Sequence, residues 1–421
     1  MRWIAILSFL IVLIGFLFIP RSKNNVCKTF IDYYSDRDNN ENCYYNPDTH
    51  MNVSEIIKIR GYPVEEHEVT TEDGYILTLF RIPFGKNASN QIPGRPILVM
   101  HGVLINSASY VNRGNKSLGF VLADAGYDVW LGNLRGTAYG RKHTYLNDRD
   151  RLFWDFDTYE LGVYDIYSKI EYIFNITQQK ITYVGFSFGS TAGYMYSITY
   201  PKLAEQKIKI IISLAPTVFL SNWRSLTKYV IQFWPYTEPF FTFLTNGEVA
   251  LRGTYQSRLR ETLCLPYPFQ MYLCQFVDMI AMGFDYEQND PETLPITILQ
   301  NSDATSYKTI SHGLQLVFKG NFDYLDYGTD QLNIAAYGSP EVPKHNLSQL
   351  RVPTYLVTAN NDLMITIEDV KLLHKYLPKK VNPYDIYVVK SERFNHDDFI
   401  AARDVVPLVY NHLVNFINNL P

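Results

Sequence analysis

Ile181-Thr-Tyr-Val-Gly185-Phe-Ser187-Phe-Gly189-Ser-Thr-Ala-Gly193 is the stretch from which the fold is read. Ile181 to Val184 is β-prone, and the residues from Phe188 to Tyr200 are predicted to form a helix, so Gly-x-Ser-x-Gly falls on a strand-to-helix turn. Such a turn is tight. Side chains at 185 and 189 would collide with neighbouring backbone, which is why glycine stands at both. The residue between them, Ser187, is lifted out at the top of the sheet, and the small residues 190 to 193 let the helix sit close against its strand.

Working outward, strand and helix alternate on both sides of this turn. Glu65 to Thr70 and Tyr75 to Ile82 read as a hairpin about Glu72-Asp73-Gly74, and Pro96 to Met100 as a strand apolar enough to be buried on both faces. A helix is predicted over Phe120 to Ala125, a strand over Asp128 to Leu131, a helix over Thr158 to Phe174 and a strand over Ile208 to Leu214. The rhythm then stops. Residues 215–351 are rich in Phe, Tyr, Trp and Pro and read as one long cap or lid insertion. It resumes with a strand at Thr354 to Ala359, a helix at Glu368 to Tyr376, a strand at Tyr384 to Val389 and a last helix at Val405 to Asn419. The pattern predicts an α/β fold with a mostly parallel central sheet and helices on both faces. Its core would be built from 49–214 and 352–421, preceded by a cysteine-containing extension at 23–48.

A chain of 421 residues, 47% hydrophobic and only 19% charged, can bury a large core and is not a disordered protein. Its net charge of −4 offers no field for gripping phosphate backbones, so nucleic acid is not an expected partner. Arg2 followed by the apolar run Trp3 to Ile19 makes 1–22 a secretory signal, or, if it stays uncleaved, an anchor. Delivery to the secretory pathway, ending in a lysosome or outside the cell, agrees with sequons at Asn52, Asn87, Asn115, Asn175 and Asn346. Four cysteines form two local pairs, Cys27 with Cys43 and Cys264 with Cys274, for which disulfides are expected; the alternative is that one or both pairs stay reduced. No metal-ligand spacing occurs, and no metal or cofactor is expected.

A serine hydroxyl is a poor nucleophile until a base takes its proton. Of the nine histidines, His396 alone occupies a loop just after a strand near the C-terminus; His374 and His412 fall within predicted helices, and the rest lie before the turn or in the insertion. The acid that orients the imidazole should sit past a strand end between serine and histidine. Asp362, directly after Thr354 to Ala359, does so, whereas Asp369 lies within a helix and Asp385 starts a strand. Ser187, Asp362, His396 is the triad order of the α/β-hydrolase fold. Two backbone N–H groups must also meet the oxyanion: that of Phe188, and one from the loop His101-Gly102-Val103-Leu104, assigned to Val103 with Leu104 as the competing register.

These residues resemble the acid lipase family of gastric and lysosomal lipases. The resemblance rests on Gly61 to Ile76, His101-Gly102, Leu122 to Asn133 with Arg135-Gly136, and the segments around Ser187, Asp362 and His396. It implies hydrolysis of neutral-lipid esters, triacylglycerol or sterol ester, through an acyl-enzyme at a lipid–water interface that the cap touches transiently. It also implies an acidic working pH and a Cys264–Cys274 cap disulfide. Val230 to Leu244, dense in large apolar residues, is the candidate lid or its rim. In two places the chain departs from the family pattern. Phe186 and Phe188 flank the serine where the family has His and Gln, and the segment around Cys27 and Cys43 has no counterpart. The competing readings are a carboxylesterase for short soluble esters and a lipid-binding protein on a hydrolase scaffold.

Overall fold

The computed structural model describes residues 22–249, 264 and 268–420, so all but Ser22 of the expected signal or anchor lies outside the described residues. Among them a nine-stranded sheet forms the body of the molecule. Its strands are β1 (Glu65–Thr70), β2 (Tyr75–Ile82), β3 (Pro96–Met100), β4 (Asp128–Gly132), β5 (Lys142–His143), β6 (Ile181–Phe186), β7 (Ile208–Leu214), β8 (Thr354–Thr358) and β9 (Tyr387–Val388). The spatial order is β9-β8-β7-β6-β3-β4-β2-β1, with β5 also paired to β2. From β9 to β4 every pairing is parallel; β4, β1 and β5 each meet β2 antiparallel.

The apolar runs explain this order. β3, β4, β6 and β8 are buried at every position, as strands with a neighbour on each side and helices over both faces must be. β1, at the edge, exposes most of its residues and reads as a polar strand with Val69 turned inward. At the opposite edge the strand predicted over Tyr384 to Val389 shrinks to two residues. β9 has one neighbour, pairing only Tyr387 with Val357 and Val388 with Thr358.

Among the helices are α1 (Leu118–Asp124), α2 (Tyr167–Thr177), α3 (Phe188–Thr199), α4 (Trp234–Thr245), α5 (Pro268–Met282), α6 (Leu294–Gln300), α7 (Tyr307–Lys319), α8 (Ile367–Tyr376) and α9 (Asn411–Asn418). The helix predicted over Thr158 to Phe174 runs unbroken from Thr158 to Thr177, widened at Leu161–Ile166 just before α2. This stretch packs closely on α3: a Cβ at Gly162 would lie 2.4 Å from the Met195 Cβ.

Between Leu214 and Thr354 the chain leaves the sheet and forms α4 to α7, with a short ribbon pairing Glu248–Val249 to Thr305–Ser306. Two of the places where this cap is bolted to the core lie beside the loops that follow β3 and β8. Asp303 donates its N–H to the Leu104 carbonyl (2.8 Å), while its carboxylate accepts Asn106 Nδ2 (2.6 Å) and the Ala138 N–H (3.0 Å). At the far end of α5, Met282 accepts the Leu363 N–H (3.1 Å) and Gly283 accepts Asn395 Nδ2 (2.8 Å).

Both disulfides are formed, Cys27–Cys43 and Cys264–Cys274, and no free cysteine is left among the described residues. The first closes a small ribbon, Val26–Cys27 against Cys43–Tyr44, where the sequence suggested only a loop. Cys27, Cys43 and Tyr33 pack on Met271 of α5, and the Tyr33 hydroxyl donates to the Pro291 carbonyl (2.7 Å). The extension is therefore fastened to the cap.

Candidate active site

Ser187 occupies the turn between β6 and α3 with φ 52° and ψ −122°, a conformation that most side chains avoid. Close approaches explain the two glycines. A Cβ on Gly189 would come within 2.5 Å of the Met100 carbonyl oxygen, and one on Gly185 within 2.6 Å of Ser190 N. The strained residue is held at both ends: Ser187 N–H donates to the Leu214 carbonyl and its own carbonyl accepts from Ser190 N–H, each at 2.9 Å.

The three residues picked from the sequence converge here. His396 Nε2 lies 3.1 Å from Ser187 Oγ, and Nδ1 lies 2.7 Å from Asp362 Oδ2. Asp362 Oδ1 accepts the N–H groups of Met364 (2.9 Å) and Ile365 (2.7 Å), so the carboxylate cannot swing away from the ring. Because that carboxylate can only accept, the Nδ1 proton points at it and Nε2 is left facing the serine. All three residues are buried. Burial works against a charged imidazole, but the Asp362 charge and hydrogen bond, with Asp397 behind them, outweigh it and hold His396 above the usual 6.5.

The two phenylalanines do different things. Phe186 lies against the catalytic ring, with centroids 5.0 Å apart. Phe188 reaches the cap instead: a Cβ on Gly313 of α7 would lie 2.6 Å from its Cζ, so the phenyl ring fills the notch that this glycine leaves. The Phe188 N–H is the first of α3, one of the donors that a helix cannot satisfy internally. In the facing loop Leu104 takes φ 62° and Val103 is partly buried beside it.

The remaining histidines and acids are otherwise engaged. His101 is buried and pushed down to about 4 by burial, held between the Gly102 carbonyl and the Leu134 N–H. His312 bonds Thr158 and Asp157 under the cap, and Asp369 accepts from Ser221 and Asn222. The sequence reading missed Thr217, whose hydroxyl lies 3.1 Å from Ser187 Oγ. Its signal was available: it follows the end of β7, the strand next to the turn. The sequon asparagines 52, 87, 115, 175 and 346 are all exposed. A groove of about 1110 Å³ lies between α4, α7 and the segment after it, and Ser187 is not among its lining residues.

Residues 53–114 match the family described as a partial alpha/beta-hydrolase lipase region, and residues 95–398 match the alpha/beta hydrolase fold. Gastric triacylglycerol lipase of Bos taurus is 36% identical over 384 residues, spanning 88% of this chain and 92% of the relative. The chain belongs to the α/β-hydrolase lipase family, in its gastric lipase group. The human gastric triacylglycerol lipase is 35% identical over 375 residues (88% and 92% covered), and human lipase member J 32% over 375 residues (88% and 100%). This lipase is thus an ester hydrolase, and its two disulfides fit a secreted or lysosomal protein. Among its described residues no helix is long and apolar enough to cross a membrane.

Proposed function

We propose that the lipase cleaves the carboxylic ester bonds of neutral lipids, triacylglycerol or sterol ester, by an acyl-enzyme route at Ser187. The observation that carries this reading is the Ser187–His396–Asp362 relay. His396 Nε2 takes the Ser187 proton as Oγ attacks the ester carbonyl, and Asp362 steadies the imidazolium that forms. Charge on the carbonyl oxygen is met by the N–H groups of Phe188 and Val103. His396 then returns the proton to the leaving alcohol, and water repeats the sequence to release the fatty acid.

The surface supports a lipid rather than a soluble ester. No residue of α4 is buried, and Phe233, Phe240, Phe241 and Phe243 are 58%, 63%, 42% and 77% exposed. On α5, Leu273 and Val277 are more than half exposed as well. A face of this kind marks contact with an apolar surface. The segment expected to fold over the site as a lid thus turns these side chains outward, as the part of the cap that would meet the lipid. The enzyme would travel the secretory pathway to a lysosome or the cell exterior, glycosylated at the five exposed sequons. Labelling with a fluorophosphonate probe and mapping the adduct tests the chemistry: an adduct on Ser187 is expected, and an unlabelled protein would leave only a lipid binder. Rate against substrate concentration tests the substrate, with a jump expected where a long-chain ester forms an emulsion.

A further inference from the structure

Beyond α5 the chain turns at Gly283 and lays its next residues on the loops that carry Asp362 and His396. Asn361 Nδ2 donates to the Phe284 carbonyl (3.1 Å). On the histidine loop, Asn395 N–H donates to Asp398 Oδ2 (2.7 Å) and Asp398 N–H to Asn395 Oδ1 (3.1 Å), a reciprocal pair that brackets His396. Asp285, from the cap, spends Oδ1 on the N–H groups of Glu287 (3.0 Å) and Gln288 (3.2 Å). Its Oδ2 is buried and receives no N–H or O–H donor, while the Asp398 carboxyl lies within hydrogen-bond reach of it. The two side chains are 2% and 6% exposed.

Two touching carboxylates out of water cannot both stay charged. One proton between them turns either carboxyl into the missing donor and leaves no oxygen orphaned. The surroundings favour keeping it. Asp397 on the histidine loop and Glu287 on the cap add negative charge. Against them stand the buried Arg113, which feels Asp398 but is shared with Asp290 (3.6 Å) and bonded to the Ala401 carbonyl, and Arg403 at the rim, which feels Asp285. Burial first, then the negative neighbours, push Asp398 well above the ordinary carboxylate range, and burial raises Asp285 too.

We infer that Asp285 and Asp398 share one proton, and that this shared proton fastens the cap to the histidine loop and positions His396 for catalysis. Both are positioning residues, since neither touches the triad. The inference rests on His396 being the base of the proposed reaction. When the proton leaves to solvent, the pair becomes two like charges and the loop is pushed off its bracket. The folded protein holds a proton that the unfolded chain gives up at about pH 4, so stability falls as pH rises from there through the titration of the pair.

Asp285→Asn tests this, because the amide donates to Asp398 at every pH. The readout is kcat/KM on a soluble 4-nitrophenyl ester, taken as the ratio of variant to wild type so that titration of His396 cancels. The ratio is expected to climb about tenfold between about pH 5 and pH 8. A ratio that does not change with pH would overturn the inference. Asp398→Asn, whose amide can donate to Asp285 and still accept from Asn395, should behave alike. Melting temperatures supply a second measurement: the gap between variant and wild type should widen with rising pH, and parallel curves would likewise overturn it. If wild type hydrolyses no ester, the reading of His396 has failed, and the melting curves still decide whether the proton is shared.

Discussion

The Ser187 hydroxyl has two neighbours at 3.1 Å, His396 Nε2 and the Thr217 hydroxyl, and it can donate to one while accepting from the other. Ser187→Ala and His396→Ala are each expected to lower kcat by roughly 10⁴ to 10⁶, with unchanged secretion and circular dichroism. A variant keeping a few per cent of activity would disprove the relay. Asp362→Asn should lose about 10⁴ by another route, because an amide at Oδ2 favours the wrong imidazole tautomer. Acidity enters at the same scale. His396 is held above 6.5, and only its neutral form can take the serine proton, so kcat/KM should rise with pH along a limb above that value. This opposes the acidic working range that the family resemblance implies. An ester bound over the site would reconcile the two by excluding the last water from the ring and so disfavouring its charge. The limb of kcat should therefore fall at lower pH than that of kcat/KM, and coincident limbs would count against it.

At the scale of elements, the sheet was legible because β3 is a continuous apolar run and β6, β7 and β8 are short runs rich in β-branched and aromatic residues, and the site because each triad residue follows a strand end. The cap was not. In α4 the Phe and Tyr side chains all face solvent, so helical periodicity gives no buried face, and the helix even runs through Pro239. Nor could spacing reveal the seat of Phe188, which depends on the missing side chain of Gly313 more than a hundred residues away in α7. The exposure of α4 makes a prediction that the sequence left open. Phe233→Ser, Phe240→Ser and Phe241→Ser should each lower hydrolysis of an emulsified ester and spare a monomeric one. Since none of the three is buried, the melting temperature should hold; an equal loss on both substrates with a lower melting temperature would mean that they pack a core.

For the molecule as a whole, the cap is held by Asp303 at one end, by the loops of Asp362 and His396 at the other, and by the N-terminal extension across α5. Replacing Cys27 and Cys43 by serine opens a loop spanning 16 residues, for which about 3 kcal/mol of stability is expected to be lost. The loss should be uneven. Amide exchange ought to quicken in α5 and around Pro291, where Tyr33 is anchored, and stay slow in β6 and α3; faster exchange throughout would show that the extension supports the whole fold. The same contact also dictates an order of assembly. The Cys27–Cys43 ring can close as soon as both thiols reach an oxidising lumen, but Tyr33 and Pro291 are separated by 258 positions, and the ring's seat on α5 is made only after most of the sheet has been synthesised. Until then a finished ring with a buried-type aromatic face has nothing to rest on. The nascent lipase must keep that face shielded for most of its translation, which makes the late docking of this small ribbon the step most open to capture by chaperones.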